Sequence, residues 1–284
     1  MTSQITPTTP PPEPNFPPED VWIPELPPTD LVFDDGEPLE SNRHRIAMNT
    51  LIASVHEALT PREDLFVGGN MFVYYSLEQI KNRDFRGPDV FVALDVEGSK
   101  ERQGWVLWEE GGKYPDVIIE LMSPSTAAVD LGAKKRIYEQ IFRTRDYFVY
   151  DPFDANSLQG WGLNDRHFVP LEPNDRGWLW CESLGVWLGT WEGKILRETA
   201  PWLRLYDRSE NLIPLPEERE YQRAEQEHHR AEQERQRAEQ EQHRAEQERQ
   251  EKENALAALE RERRTQQALR SKLQEMGIDP DSIG

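Results

Sequence analysis

The sequence predicts an α/β, or α+β, domain with one mixed β-sheet, followed by a long charged helix. Three observations predict this: a helical apolar pattern, a series of short apolar strands, and a strict seven-residue repeat near the C terminus. The chain has 284 residues, which is enough for one large domain with a substantial core. Only 36% of its residues are hydrophobic, and this low share indicates segments outside the packed core.

The two ends of the chain have biased compositions. Ten of the 22 prolines lie between Pro7 and Pro28, and proline restricts the backbone without adding core-forming surface. We therefore predict a disordered arm over residues 1–30. At the other end, Arg-Ala-Glu-Gln-Glu recurs every seven residues from Arg223, and residues 217–276 contain no Gly or Pro. This predicts a helix roughly 90 Å long, followed by a short tail at 277–284.

The long helix offers a weak seam for a coiled coil. In the repeats, alanines such as Ala224 occupy one seam position and glutamates such as Glu227 the other, whereas coiled coils favour large apolar residues at both. Charge pairs at helical spacing favour a solvated single helix instead. Larger apolar residues at seam spacing occur only near its end, at Leu259, Leu269, Leu273 and Met276. Pairing in a homodimer, or with another partner, is therefore the alternative.

Residues 31–215 show the pattern of the folded domain. Apolar residues at helical spacing predict a first helix around Met48 to Leu59. Short apolar runs predict β-strands at 65–67, 71–75, 89–96, 105–108, 117–122 and 147–150. A second helix is predicted from about residue 126 to Phe142. The stretch 158–206, rich in Trp, Gly and Leu, predicts antiparallel strands and turns.

Charge and composition exclude several classes of protein. The chain has 33 basic and 53 acidic residues and a net charge of −20, which argues against a general nucleic-acid binder, because phosphate neutralisation needs clustered Lys and Arg. The single cysteine, Cys181, cannot form an intramolecular disulfide. No signal-peptide pattern and no apolar stretch of about 18 residues are present. We therefore expect a cytoplasmic protein without membrane contact.

Two carboxylates lie within otherwise apolar strand runs. Asp89 begins the run 89–92, and Glu120 lies in the run 118–121. A buried carboxylate is costly unless it is paired, hydrogen-bonded or bound to a cation. Because Mg²⁺ commonly takes only one or two protein carboxylates, these two acids could hold Mg²⁺ or Mn²⁺. The alternative is that each acid merely marks the end of a strand.

Several ordered motifs occur through the folded domain. They are Arg86-Gly-Pro-Asp89-Val-Phe-Val, Pro115-Asp-Val-Ile-Ile-Glu120-Leu-Met-Ser-Pro-Ser-Thr126, Asp130 with Lys134 and Tyr138, Tyr147-Phe-Val-Tyr-Asp-Pro152, Gly177-Trp-Leu-Trp-Cys-Glu-Ser-Leu-Gly185-Val-Trp-Leu-Gly and Trp202-Leu-Arg-Leu-Tyr-Asp207. Together these motifs resemble the Uma2-like family, a group of restriction-endonuclease-like domains common in cyanobacteria, over nearly all of residues 31–215. The resemblance implies the core of the PD-(D/E)xK nucleases, a mixed sheet flanked by helices.

The resemblance also implies roles for individual residues. In the nuclease superfamily, two acids and a lysine two residues after the second acid surround a divalent metal. Asp89 matches the first acid and Glu120 the second, but the residue two beyond Glu120 is Met122, which cannot supply the charge. Lys134, in the second predicted helix, matches the family lysine best, and Lys135 is the alternative. Lys134 also fits an ordinary exposed helix lysine.

Two further positions near the first predicted helix match the family. Glu40 could contribute an acid and His44 a phosphate contact, although His44 equally fits an ordinary neighbour of a helix cap. The resemblance thus implies a metal-dependent endonuclease that hydrolyses DNA phosphodiester bonds. The alternative function is a non-catalytic interaction protein with a nuclease fold, whose helical tail binds a partner.

Overall fold

A computed structural model describes residue 31, residues 41–76 and residues 87–277. Three predicted features lie outside the described residues: the arm at 1–30, Glu40 and nearly all of the tail at 277–284. The chain divides into two compact units, Met1–Ile213 and Pro214–Gly284.

The first unit contains eleven β-strands among its described residues. In chain order they are β1 (Leu65–Gly69), β2 (Val73–Tyr74), β3 (Val90–Leu94), β4 (Trp105–Val106), β5 (Val117–Leu121), β6 (Asp146–Tyr150), β7 (Gln159–Asn164), β8 (His167–Pro170), β9 (Leu179–Cys181), β10 (Val186–Ile195) and β11 (Glu198–Tyr206). Six of them form the main sheet in the order β1-β3-β5-β6-β7-β8. Only β5 and β6 pair in parallel in this sheet; its other neighbours are antiparallel.

Helix α1 (Asn42–Leu59) covers one face of the main sheet. Ser41 caps its N terminus, since the Ser41 hydroxyl accepts a hydrogen bond from the His44 backbone N–H at 3.2 Å. Its apolar residues Ile46, Leu51 and Val55 are buried against the strands. The antiparallel sheet β9–β10–β11 contributes to the same core.

A second helical segment, α2, spans residues 127–142 and covers the opposite face. It connects the parallel strands β5 and β6, which require a crossover rather than a tight turn. Two π-helical turns, Asp130–Lys134 and Tyr138–Phe142, interrupt its α-helical geometry. Such turns are rare and occur frequently at functional sites. Tyr138 and Phe142 are buried against Ile118, Tyr147 and other residues of this face.

The second unit consists of helix α3 (Pro216–Glu275), which has 60 residues and no buried ones. Ion pairs at a spacing of four residues lie along it, including Arg235 with Glu239 at 3.5 Å and Arg249 with Glu253 at 3.4 Å. Exposed pairs of this kind each add only a few tenths of a kcal/mol, about 0.2–0.5. Coiled-coil pairing of α3 stays a prediction. No helix in the described part of the chain has the length and apolarity needed to cross a membrane.

The predicted fold class is confirmed, including the mixed sheet and the long C-terminal helix. The predicted strands at 71–75 and 105–108 are shorter than expected, since each has only two residues, in β2 and β4. These two strands pair with each other, and after β4 the chain turns into a 3₁₀ helix at Leu107–Glu109. The Trp105 indole N–H donates to the Lys113 carbonyl at 2.7 Å, which holds the chain in that turn.

Candidate active site

Sheet register brings the two candidate acids together. Strands β3 and β5 are antiparallel, with Val90 opposite Ile119, so Asp89 lies across from Glu120. The Leu121 backbone N–H donates to Asp89 Oδ2 at 2.7 Å, and the Asp89 backbone N–H donates to Glu120 Oε2 at 3.3 Å. Each carboxylate is therefore hydrogen-bonded to the backbone of the neighbouring strand segment, which fixes the position of both.

Lys134 supplies an ammonium to this acid pair from α2. Its Nζ lies 3.1 Å from Glu120 Oε2 and 2.8 Å from Asp130 Oδ1. The side chain of Lys134 is 20% exposed, whereas that of Glu120 is fully buried. Met122, two residues after Glu120, is buried in the apolar cluster under α2. The structure thus brings Asp89, Glu120 and Lys134 together, with the positive charge coming from a helix.

Tyr138 is part of the same cluster, although sequence reasoning gave it no role. Its hydroxyl donates to Glu120 Oε1 at 2.7 Å, so both oxygens of Glu120 have partners. Asp130 also belongs to the cluster, because its carboxylate contacts Lys134. The Tyr147 hydroxyl donates a hydrogen bond to the Asp130 backbone carbonyl at 2.9 Å. In the sequence, Asp130, Lys134 and Tyr138 are spaced four residues apart on one helix, and this spacing could have indicated that they lie together.

Burial dominates the electrostatics of the acids. It raises the pKa of Glu120 to about 7; nearby Lys134 opposes this rise, and Asp89 adds to it. Burial also raises the pKa of Asp89, against the attraction of Lys134, and it raises the pKa of Asp130, with Glu120 adding to the rise. Burial alone would lower the pKa of Lys134, but the surrounding carboxylates outweigh it and the pKa is raised. Lys134 therefore stays an ammonium at neutral pH.

The donor set suits a hard divalent cation. Three carboxyl groups, on Asp89, Glu120 and Asp130, surround the one ammonium of Lys134, so an additional positive charge would relieve their mutual repulsion. Carboxylate oxygens are the ligands that Mg²⁺ and Mn²⁺ prefer. The described ranges contain no group of three or more His, Cys, Asp or Glu side chains that could hold a metal ion. Asp89 and Glu120 could thus provide two ligands, with water or phosphate providing the others.

The two accessory candidates within the described residues, His44 and Lys135, contact other groups. His44 is buried: its Nδ1 lies 2.8 Å from Ser41 Oγ and its Nε2 lies 3.2 Å from the Met122 carbonyl oxygen. Lys135 places its Nζ 3.7 Å from the centre of the Trp161 ring, a favourable cation–π contact. The structure therefore supplies Lys134, rather than Lys135, to the acids. Glu40 lies outside the described residues.

The raised pKa of Glu120 has a measurable consequence for stability. The folded protein binds this proton more tightly than the unfolded chain, whose glutamate titrates near 4.5. As the pH rises from about 4.5 to about 7, the contribution of Glu120 to the free energy of unfolding should therefore fall. Glu120→Gln removes the buried charge. We expect it to raise the free energy of unfolding at pH 8 without metal by at most about 3 kcal/mol, and with it the thermal midpoint. The effect at pH 5 should be smaller.

Thermal unfolding in EDTA at both pH values checks this expectation. Glu110 provides a matched control, because Arg102 and Lys100 lie 2.9 and 2.7 Å from its carboxylate. Although burial opposes them, these cations lower the pKa of Glu110. Glu110→Gln should therefore destabilise the protein at pH 8. A Glu120→Gln midpoint at or below that of the wild type at pH 8 would contradict the assignment.

Comparison with known proteins adds independent findings. Residues 23–191 match the family model Uma2, which is described as "Putative restriction endonuclease". Among solved structures, the crystal structure of "a putative nuclease belonging to DUF820" from Anabaena variabilis is similar, with 14% sequence identity and a TM-score of 0.38. That similarity covers 56% of this chain and 86% of the other chain. No curated protein matches the sequence. The matched range contains Asp89, Glu120, Asp130 and Lys134.

Proposed function

This chain belongs to the Uma2 family of restriction-endonuclease-like proteins, and we propose that it is a metal-dependent endonuclease that hydrolyses DNA phosphodiester bonds. One observation carries the proposal. The buried Glu120 carboxylate lies beside Asp89 and 3.1 Å from the Lys134 ammonium. Two acids that can hold a divalent metal and one ammonium that can stabilise negative charge fit metal-assisted phosphodiester hydrolysis.

Asp89 and Glu120 are the residues that would hold Mg²⁺ or Mn²⁺. The bound ion would polarise a phosphodiester oxygen and lower the pKa of a bound water. The Asp89 carboxylate is oriented by the Leu121 N–H, and that of Glu120 by the Asp89 N–H and the Tyr138 hydroxyl. Fixed ligands of this kind lose little freedom when the cation binds, which favours binding.

Lys134 would act on the phosphate. An ammonium held near the acid pair can stabilise the negative charge that develops on the phosphate oxygens, or orient the attacking water. The high pKa of Lys134 excludes it as a general base at neutral pH, because the group keeps its proton. Its contribution is therefore electrostatic, and the proton of the attacking water must leave to another acceptor.

Incubation of the purified full-length protein with supercoiled and linear duplex DNA tests this function. We expect nicking or cleavage with Mg²⁺ or Mn²⁺ and none with EDTA. Glu120→Gln, purified in the same way, controls for a contaminating nuclease and should be inactive. If the folded wild type cuts no DNA with either metal, the nuclease proposal fails and the non-catalytic interaction protein becomes the better explanation.

A further inference from the structure

Asp130 is a third acid at the site, and neither strand carries it. It lies in the first π-helical turn of α2 and is 1% exposed. Its Oδ1 lies 2.8 Å from Lys134 Nζ, closer than Glu120 Oε2 at 3.1 Å. Burying a carboxylate is costly, and Glu120 alone already gives Lys134 a partner. A second carboxylate on the same ammonium therefore calls for an explanation.

Local contacts hold Asp130 in place. The Tyr147 hydroxyl donates to its backbone carbonyl at 2.9 Å, and its own N–H donates to the Thr126 carbonyl at 3.0 Å. Tyr147 extends from β6, next to β5 in the main sheet. The position of Asp130 is thus fixed from the sheet and from the start of α2, independently of its contact with Lys134.

Lys134 and a divalent cation would compete for the same carboxylate. Both carry positive charge, and like charges a few Å apart in a buried site repel each other strongly. If Glu120 were the only partner of Lys134, a cation bound to Glu120 would drive the ammonium away. Asp130 contacts Lys134 from the helix side, so it can keep the ammonium beside the acid pair after Glu120 has turned to the cation.

We propose that Asp130 is a positioning residue that holds the Lys134 ammonium beside Asp89 and Glu120 when a divalent cation is bound. This inference rests on the proposed function for its effect on catalysis, but its effect on metal binding can be measured without any DNA cleavage. The two can therefore fail separately.

A double-mutant cycle with Asp130→Asn and Lys134→Ala in the full-length protein tests the proposal. Calorimetry with Mn²⁺ is the first measurement. Without Asp130, the remaining carboxylates near Lys134 among the described residues are Glu120 and Asp89, the two that would bind the cation. Lys134 then competes with the cation for them, so Asp130→Asn should weaken Mn²⁺ binding about tenfold. In the Lys134→Ala background, the same change should weaken it several-fold less. The cleavage rate should show the same pattern, with a larger loss in kcat than in DNA affinity.

Other results of these measurements would overturn the inference about Asp130 or the nuclease proposal. A purely structural or long-range effect of the Asp130 charge would weaken Mn²⁺ binding equally in both backgrounds, and this result would overturn the inference while leaving the nuclease proposal intact. Coupling in Mn²⁺ binding without DNA cleavage would overturn the nuclease proposal alone. Wild-type protein that binds no Mn²⁺ would overturn the inference.

Two further variants guard against misfolding. Asp116 is another buried aspartate with a lysine partner, Lys113, at 2.9 Å, and it lies outside the site. Asp116→Asn should not change Mn²⁺ affinity. Asp130→Glu keeps the carboxylate, so it should bind Mn²⁺ closer to wild type than Asp130→Asn does. If Asp130→Asn does not fold, Asp130→Glu takes its place in the double-mutant cycle with Lys134→Ala. An equal change in Mn²⁺ affinity on Asp130→Glu substitution, whether Lys134 is present or replaced by Ala, would then overturn the inference.

Discussion

Lys134→Ala is expected to lower the rate of DNA cleavage by about 10² or more, which is the scale of removing one preorganised stabilising group. Met122→Leu should retain the activity, even though the family resemblance would place the superfamily lysine at Met122. The reason is geometric. Met122 is buried in the apolar cluster under α2, whereas the Lys134 ammonium lies 3.1 Å from Glu120. Initial cleavage rates of purified variants on duplex DNA measure the effect.

Lys135→Ala is the matched control for this experiment. Lys135 is adjacent in sequence but contacts the Trp161 ring, so its loss should leave the cleavage rate within a few-fold of wild type. Activity in Lys134→Ala equal to wild type, together with a strong loss in Lys135→Ala, would move the functional lysine by one residue. Comparable thermal midpoints for the two variants would show that the difference does not come from folding.

The double substitution Asp89→Ala and Glu120→Ala is expected to abolish Mg²⁺ and Mn²⁺ binding at the site. Both proposed ligands are removed, and the described residues contain no group of three or more His, Cys, Asp or Glu side chains that could bind the ion instead. Calorimetry with each ion compares the double variant with the wild type. Asp116→Asn serves as the control and should bind metal as the wild type does. Equal affinity in the double variant and the wild type would exclude this pair as the metal site.

The mixed sheet could be predicted because its strands are short apolar runs. The buried runs at β3, β5 and β6 follow directly from residues such as Val92, Ile118 and Phe148. The register between β3 and β5 could not be predicted, since it depends on contacts between segments distant in sequence. The convergence of Asp89 and Glu120 is therefore an expectation from their places in apolar strand runs and from the family resemblance. The hydrogen bonds that link them are seen only in the structure.

Helical residues of the site were harder to predict than those on strands. The sequence placed Asp130, Lys134 and Tyr138 on one helix, but an ordinary helix lysine paired with an acid has the same spacing. The two π-helical turns of α2 have no recognisable sequence signal, and they help set which side chains face the sheet. The burial of His44 could not be predicted from the sequence either, because it depends on α1 lying against the end of β5 at Met122.

The pairing of β3 with β5 also limits how the length of this domain can change. Side chains alternate between the two faces of a strand, so one residue inserted within either strand would turn its acid toward the core on the α1 side. Asp89 or Glu120 would then lie among residues such as Val92 and Ile119, without Lys134. Insertions and deletions should therefore be tolerated in surface turns, such as the one between β7 and β8, and not in the two strands that carry the acids.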